Sequence, residues 1–270
     1  LLGGLSPSQI AAFAAMLQVR GPGANEILGV LNILQNKFNL ISKFDDVLNI
    51  SDSGIMLHHS PAVKIAVALT LAACGVRTAH FAGQEDEVTP NDGIMFKACG
   101  VNIKCNVQLA SKALEEANIC FITLPKYGYI MREIQPVAKD LELDDIFSIA
   151  DQLMNPVRYD YNIIGTEEKR FIEALVATSQ RLVHKTSWVI HNIIIDDDKK
   201  PRYVTEVTAI QNSEIKNFTL KPSDLKLSYP DDFKVIPGHD MNFYANRLCN
   251  FLKGEASNFS NIVLYNVAAL

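Results

Sequence analysis

Short apolar runs alternate with helical stretches over residues 47–124, and this alternation restricts the fold more than any other feature of the sequence. An almost wholly apolar helix is predicted over residues 62–74 and another helix over residues 106–117. The strand candidates around them are Val47–Ile50, Arg77–Phe81 and Ile119–Leu124. Because strand–helix–strand units place parallel strands in one sheet, the pattern predicts an α/β protein with a mostly parallel central sheet.

The chain opens with helices instead of strands. Ser6, Pro7 and Gln9 form a capping-box pattern that starts a helix ending near Arg20, and a second helix follows over residues 25–36. Two further helical stretches over residues 131–153 have no strand between them. We therefore predict a small helical domain and a large α/β domain, each built from two segments: helical 1–44 and 126–156, α/β 45–125 and 157–270.

The last third of the chain returns to strands. The pattern predicts a strand at Asn162–Ile164, a helix over residues 167–183, a strand at Ser187–Ile190, a hairpin through Val204–Gln211 and Ile215–Leu220, and helices near 241–252 and from 260.

Composition excludes several classes of function. The chain has 270 residues, 48% of them hydrophobic, and a net charge of −5 with a pI near 5.7. Without a basic face or tail, a nucleic-acid or anionic-membrane partner is not expected. No apolar run is long enough for a membrane span, and five scattered cysteines without zinc or redox-pair spacing favour reduced core thiols in the cytoplasm.

Several segments together carry a family resemblance. They are Leu5–Phe13 with Arg20 and Gly21, Ala72–Val76, Gly100–Ile103, Phe147 with Asn155 and Pro156, Ile163–Gly165, and Val263–Leu270. In these segments the chain resembles the anthranilate phosphoribosyltransferases, glycosyltransferases of tryptophan biosynthesis. The resemblance implies the same two-domain fold, phosphoribosyl diphosphate and anthranilate as ligands between the domains, and a homodimer formed through the helical domain.

The positions that bind ligand in that family have changed in this chain. The family's glycine-rich diphosphate loop, GTGGDG, falls on residues 52–57. Gly54 matches the family, Ser53 is a conservative replacement of the threonine, and Asp52 replaces a glycine. The next three residues, Ile55, Met56 and Leu57, put side chains where a phosphate needs bare backbone.

Four other positions are equivalent to substrate-binding residues. His80 and Gly83 lie where the family has a lysine and an asparagine, and Asn91 lies in the segment that is rich in hydroxyls in the family. In the same segment the carboxylates of residues 85–87 would repel an anionic ligand. Arg132 matches a basic position near the substrate, although an exposed helix cation explains it equally well.

Magnesium is the one cofactor that the resemblance implies. Lys64 replaces a serine that helps to hold the ion, and a lysine there would repel it. The second metal position of the family aligns with Asp196, Asp197 and Asp198, which can hold Mg²⁺ through water. We favour the alternative that these residues form a solvated acidic turn.

Two hypotheses for function remain. The first is a catalytically inactive or impaired homologue, a pseudoenzyme that keeps the scaffold. The second is an active pentosyltransferase with unusual contacts in its site or with a different ligand.

Overall fold

The computed structural model describes residues 4–35, 41, 44–51, 61–82, 92–103, 105–123, 134, 136–137, 140, 146–182, 184–195, 202–227 and 241–270. The helices in these ranges are α1 (Pro7–Arg20), α2 (Ala24–Gln35), α3 (Pro61–Ala73), α4 (Asp92–Ala98), α5 (Val107–Ala117), α6 (Ile146–Leu153), α7 (Ile172–Ser179), α8 (Met241–Leu252) and α9 (Asn258–Ala269). The strands are β1 (Val47–Ile50), β2 (Arg77–Ala82), β3 (Ile119–Thr123), β4 (Tyr161–Gly165), β5 (Thr186–Ile195), β6 (Arg202–Gln211) and β7 (Glu214–Leu220).

The strands form a single seven-stranded sheet in the order β3-β2-β1-β4-β5-β6-β7. The pairs from β3 across to β5 are parallel, and β6 and β7 add to β5 as antiparallel strands. The prediction of an α/β fold with a mostly parallel central sheet is confirmed.

Local sequence signals start and stop several helices. At the start of α1 the Ser6 hydroxyl accepts a hydrogen bond from the Gln9 amide, and the Gln9 side chain accepts one from the Ser6 amide at 2.8 Å. This is the predicted capping box, which satisfies two amide groups at the helix start. Helix α5 begins in a similar way, because the Asn106 side chain accepts from the Leu109 amide at 2.9 Å, and it ends at Asn118 in the left-handed conformation.

Helices cover both faces of the sheet. Helix α3 is buried against one face together with α8 and α9, as its apolar sequence predicts, and Ile65 and Val67 are completely buried there. On the opposite face α1, α2, α6 and α7 share a second core that contains Leu31 and Leu153. The sheet therefore lies between two apolar layers.

The last strand forms an edge of the sheet. Within the described part of the chain, β7 pairs with β6 alone, and residues 214–219 are exposed on both faces. Such an edge presents backbone amides and carbonyls along one side.

Other details differ from the prediction. The segment predicted as one helix over residues 167–183 begins with a turn of 3-10 helix at Lys169–Phe171, and strand β5 continues five residues beyond Ile190 because β6 pairs with it along its whole length. The prediction that the cysteines are core thiols is wrong for Cys74, which is exposed, and correct for Cys120, which is buried.

Candidate functional site

The order of the strands defines one crevice at the edge of the sheet. After β1 the chain crosses to β2 on one side, whereas after β4 it crosses to β5 on the other side, although β1 and β4 are neighbours. Ligands of open α/β sheets bind outside the carboxyl ends of the strands at such a topological switch point. The carboxyl ends of β1 and β4 therefore mark the candidate site.

Two polar residues, Ser51 and Thr166, lie at this switch point. The Ser51 amide donates to the Ile163 carbonyl at 3.1 Å, and the Ser51 hydroxyl accepts from the Gly165 amide at 3.4 Å. Next to it, the Thr166 amide donates to the Ile190 carbonyl at 3.0 Å, and Ser51 and Thr166 are both buried. These bonds join the ends of three adjacent strands and fix the point from which the segment after Ser51 leaves the sheet.

His191 lies on β5 beside Thr166. Its Nδ1 is 2.8 Å from the Thr166 carbonyl oxygen. Because a carbonyl can only accept, Nδ1–H is the donor of this hydrogen bond, and Nε2 is the ring nitrogen that takes no part in it. The Thr166 hydroxyl itself bonds to the backbone of Glu168 and shapes the following turn. The hydroxyl of Thr166 is thus used for structure.

A buried network of amide side chains lies on the same side of β1, two residues before Ser51. The Asn155 amide nitrogen donates to the Asn49 side-chain oxygen at 2.8 Å and to the Ala79 carbonyl at 3.0 Å, and the Asn155 oxygen accepts from the Val157 amide at 2.9 Å. Asn49 in turn donates to Asn162 at 3.0 Å. The network links β1, β2, β4 and the segment that leaves α6, so it holds the floor of the crevice.

Two arginines connect the opening helices to the segment after β4. Arg170 donates to the Gln18 carbonyl oxygen at 2.8 Å, and Arg181 donates to the side-chain oxygen of Asn25. These contacts set the position of α1 and α2 relative to the candidate site.

One family-equivalent ligand position, His80, can be placed. It lies inside β2 and not at its end, its side chain is only 4% exposed, and its ring packs 5.3 Å from the ring of Phe96. A side chain in this place is a core residue. Lys64, at the family's magnesium position, lies in the first turn of α3 and is half-buried.

The other predicted site residues lie outside the described residues: Asp52, Ser53, Gly54, Gly83, Asn91, Arg132, Asp196, Asp197 and Asp198. Among the residues that the structure describes, no group of three or more His, Cys, Asp or Glu side chains could hold a metal ion.

A cluster of charged residues lies at the amino ends of the strands, away from the crevice. Lys185 contacts the Asp46 carboxylate at 2.6 Å and the Asp160 carboxylate at 3.5 Å, and Asp160 accepts from the Asp46 amide at 2.7 Å. The hydrogen bond from Lys185 and its charge lower the pKa of Asp46. This cluster closes the turn before β1 and has a structural role.

His184 is also at this end of the sheet. Its ring stacks on Tyr159 with centroids 4.4 Å apart, and its Nδ1 is 3.2 Å from the Tyr159 carbonyl oxygen. Burial is the main cause that lowers the pKa of His184 below its ordinary value. The histidine is therefore a neutral packing residue at pH 7.

Sequence reasoning missed Ser51, Thr166 and the placement of His191. Ser51 and Thr166 are single polar residues that directly follow buried strands, which is the signal that could have identified them. No motif accompanies either residue.

The fold defines the class: an open α/β protein with helices on both faces of its sheet and a topological switch point that marks the candidate site. The model of the glycosyl transferase family, a/b domain, matches residues 60–270. The chain belongs to this glycosyltransferase family.

Known proteins agree with this placement. The anthranilate phosphoribosyltransferase of Hyphomonas neptunium is 26% identical over 270 residues, covering 100% of this chain and 79% of that protein. The enzyme of the same name from Haemophilus influenzae is 27% identical over 273 residues and covers 99% of this chain and 80% of its own.

Solved structures match the fold. Anthranilate phosphoribosyltransferase from Thermus thermophilus superposes with a TM-score of 0.76 at 19% identity, covering 98% of this chain and 82% of that one. The Saccharomyces cerevisiae enzyme in complex with PRPP and Mg gives a TM-score of 0.70 at 17% identity, with coverages of 97% and 74%. The anthranilate phosphoribosyltransferase-like fold predicted from the sequence is confirmed. A search of the described helices finds none that is both long and apolar enough to cross a membrane.

Proposed function

We propose that this chain keeps the anthranilate phosphoribosyltransferase fold while its transfer activity is lost or strongly impaired. The observation that carries this proposal is the replacement of the glycine-rich diphosphate loop. That loop begins directly after Ser51, at the switch point between β1 and β4, and three of its six positions are Ile55, Met56 and Leu57. Catalysis of diphosphate departure depends on positioning and on charge stabilisation, and alkyl side chains supply neither.

Two further positions support the loss. His80 takes the place of the family's cation and is buried against Phe96, so it is poorly placed to reach an anion. Lys64 takes the place of a magnesium-holding serine, and a protonated lysine has only donors to offer a cation. The first magnesium position therefore does not fit the ion, and no step through a metal is derived. Use of Mg²⁺ at Asp196, Asp197 and Asp198 stays a prediction.

The alternative is an active transferase that acts on a different ligand. The acidic residues Glu85, Asp86 and Glu87 favour it, because they occupy a segment that binds an anion in the family and would attract a cationic or metal-bridged molecule instead. Family-equivalent contacts at Asp52, Gly83, Asn91 and Arg132 would then belong to that ligand.

Dimerisation and cellular role are part of the same proposal. Helix α1 exposes 64% of Met16 and 84% of Val19, two apolar side chains that favour a homodimer through the helical part. The helical and α/β domain boundaries, a cytoplasmic location and an ancestral link to tryptophan biosynthesis stay predictions.

A thermal-shift titration with phosphoribosyl diphosphate and Mg²⁺ tests the proposal. A ligand at about 100 times its Kd stabilises by about 2.7 kcal/mol, which for a chain of this size corresponds to roughly 5–10 °C in Tm. We expect no shift beyond that of Mg²⁺ alone and no loss of anthranilate fluorescence. A shift of this size together with consumption of anthranilate would refute the inactive reading.

A reconstructed loop provides the matched control. The variant Asp52→Gly, Ser53→Thr, Ile55→Gly, Met56→Asp, Leu57→Gly restores the family's loop in this scaffold. If the parent gives no shift and the variant does, the loop is the cause of the lost binding. If neither the parent nor the variant gives a shift, the replacements at Lys64 and His80 are sufficient to prevent binding even with the family's loop restored.

A further inference from the structure

The row of buried amide side chains at the floor of the crevice has a fixed direction. The Val157 amide donates to the Asn155 side-chain oxygen at 2.9 Å, and the Ala79 carbonyl accepts from the Asn155 side-chain nitrogen at 3.0 Å. Because a backbone amide only donates and a carbonyl only accepts, these two bonds determine which arm of Asn155 is the oxygen and which is the nitrogen. The Asn155 nitrogen therefore meets the oxygen of Asn49, 2.8 Å away.

The same direction continues from Asn49 to Asn162. The Asn49 oxygen faces Asn155, so its nitrogen lies on the other arm of the amide. That nitrogen donates to the Gln152 carbonyl at 3.1 Å and to the Asn162 side-chain oxygen at 3.0 Å. The Asn162 nitrogen is then the last donor of the row and is turned away from Asn49. Asn162 is completely buried, and this nitrogen has no hydrogen-bond partner in the described part of the chain.

Two buried serines lie on the same face of the sheet as this donor. Asn49 and Ser187 are the neighbours of Asn162 in the strand register, so Ser187 lies on the side of Asn162 that is away from Asn49. Helix α7 leads from the carboxyl end of β4 to the amino end of β5, and Ser179 in its last turn lies four residues after Leu175, which packs in the core on this face. Ser187 is 2% exposed and Ser179 is 3% exposed, and neither hydroxyl has a hydrogen-bond partner among the residues that the structure describes.

These three groups define the chemistry of a small site under the last turn of α7. The amide nitrogen can only donate, whereas each hydroxyl can both donate and accept. All three groups are neutral, so they offer an ion no opposite charge. A buried polar group that is left unpaired is costly, and a buried water typically makes about three hydrogen bonds to such groups.

We propose that Asn162, Ser179 and Ser187 bind one internal water molecule between α7 and the sheet. The water accepts from the Asn162 nitrogen and shares hydrogen bonds with the two hydroxyls, which extends the polar row from β2 across to β5. It thereby holds the last turn of α7, after which Arg181 donates to the side chain of Asn25 on α2. The water site does not depend on the transfer chemistry, so it is expected whether or not that activity is lost.

A high-resolution crystal structure of the unaltered protein tests the site directly. We expect density for one water within about 2.7–3.2 Å of the Asn162 side-chain nitrogen and of the Ser187 hydroxyl. A direct hydrogen bond from the Asn162 nitrogen to a protein group would overturn the proposal. Ordered side chains with no density between them would overturn it as well.

Substitutions at Ser187 test the same site in solution. Ser187→Ala leaves room for the water, whereas Ser187→Val fills its place and leaves the Asn162 nitrogen unpaired. We therefore expect Ser187→Val to have a Tm at least roughly 3 °C below that of Ser187→Ala, although valine is the better strand former. If Ser187→Val folds and is as stable as Ser187→Ala, the water site is refuted.

The matched control is Thr219 on the exposed strand β7. Thr219→Val should have a Tm at least equal to that of Thr219→Ala, because no buried donor depends on this side chain. Circular dichroism of each variant shows whether it folds, and the crystal structure decides the question without any substitution.

Discussion

Replacing Asn155 with alanine should destabilise the protein strongly, because this one side chain satisfies three buried groups. Asn155 is 2% exposed, and its substitution leaves the Asn49 side-chain oxygen, the Ala79 carbonyl and the Val157 amide without their present partner. Each neutral hydrogen bond contributes about 1 kcal/mol net, and a buried group left unsatisfied costs about 1–3 kcal/mol. We expect a loss of about 3–5 kcal/mol.

Urea unfolding followed by circular dichroism measures this loss as a change in midpoint at constant m. Asn155→Asp should be at least as damaging, because a carboxylate places an acceptor against two acceptors. The matched control is Asn246→Ala on the exposed surface of α8, which should stay within about 0.5 kcal/mol. A loss below about 1 kcal/mol for Asn155→Ala would show that the network does not hold the strands together.

Three further predictions concern other parts of the fold. The pKa of His184 is lowered from 6.5 in the folded protein, so the unfolded chain takes up a proton first as the pH falls, and stability is lost below about pH 6.5. His184→Phe should therefore reduce the fall in Tm between about pH 7 and pH 5. If Tm fell as steeply in the variant as in the parent, this account would be refuted. Gly29→Ala in α2 should stabilise the protein by about 0.5–1 kcal/mol, because the added methyl meets nothing within 4 Å and alanine favours the helix. Gly75→Ala should destabilise it by about 1 kcal/mol, because Gly75 has a φ of +92°. If urea unfolding showed that both substitutions change the free energy of unfolding in the same direction, the backbone argument would be contradicted. Arg170→Met should lower the free energy of unfolding by about 1 kcal/mol, because it removes the hydrogen bond to the Gln18 carbonyl. This loss is smaller than that of a buried charged hydrogen bond, because the Arg170 side chain is 44% exposed. An unchanged unfolding midpoint would contradict this prediction.

Local patterns were sufficient to predict most of the elements. The capping residues before α1, the apolar sequence of α3 and the hairpin of β6 and β7 each depend on interactions within a few residues, and the structure has all three. The order of the strands depends on contacts that are distant in sequence. That β4 pairs with β1 has no local signature, so the switch point could not be placed from the sequence.

The candidate site was predictable only through the family resemblance. Ser51 and Thr166 are single polar residues, and their importance depends on the strands that end beside them. Among the predicted binding residues, His80 shows the limit of alignment: its position matches a cation of the family, while its burial is that of a core residue.

The outer strand β7 affects how readily copies of the protein associate at high concentration. Among the residues that the structure describes, no strand pairs with the outer side of β7, so a second extended chain could pair with it there, and Ile215 and Phe218 would add apolar contact. Glu214 and Lys216 stand on the same face of the strand, two residues apart, and any added chain would have to accommodate both charges. Charges on an edge strand oppose the addition of further strands, so we expect self-association through β7 to become easier when both residues are neutralised.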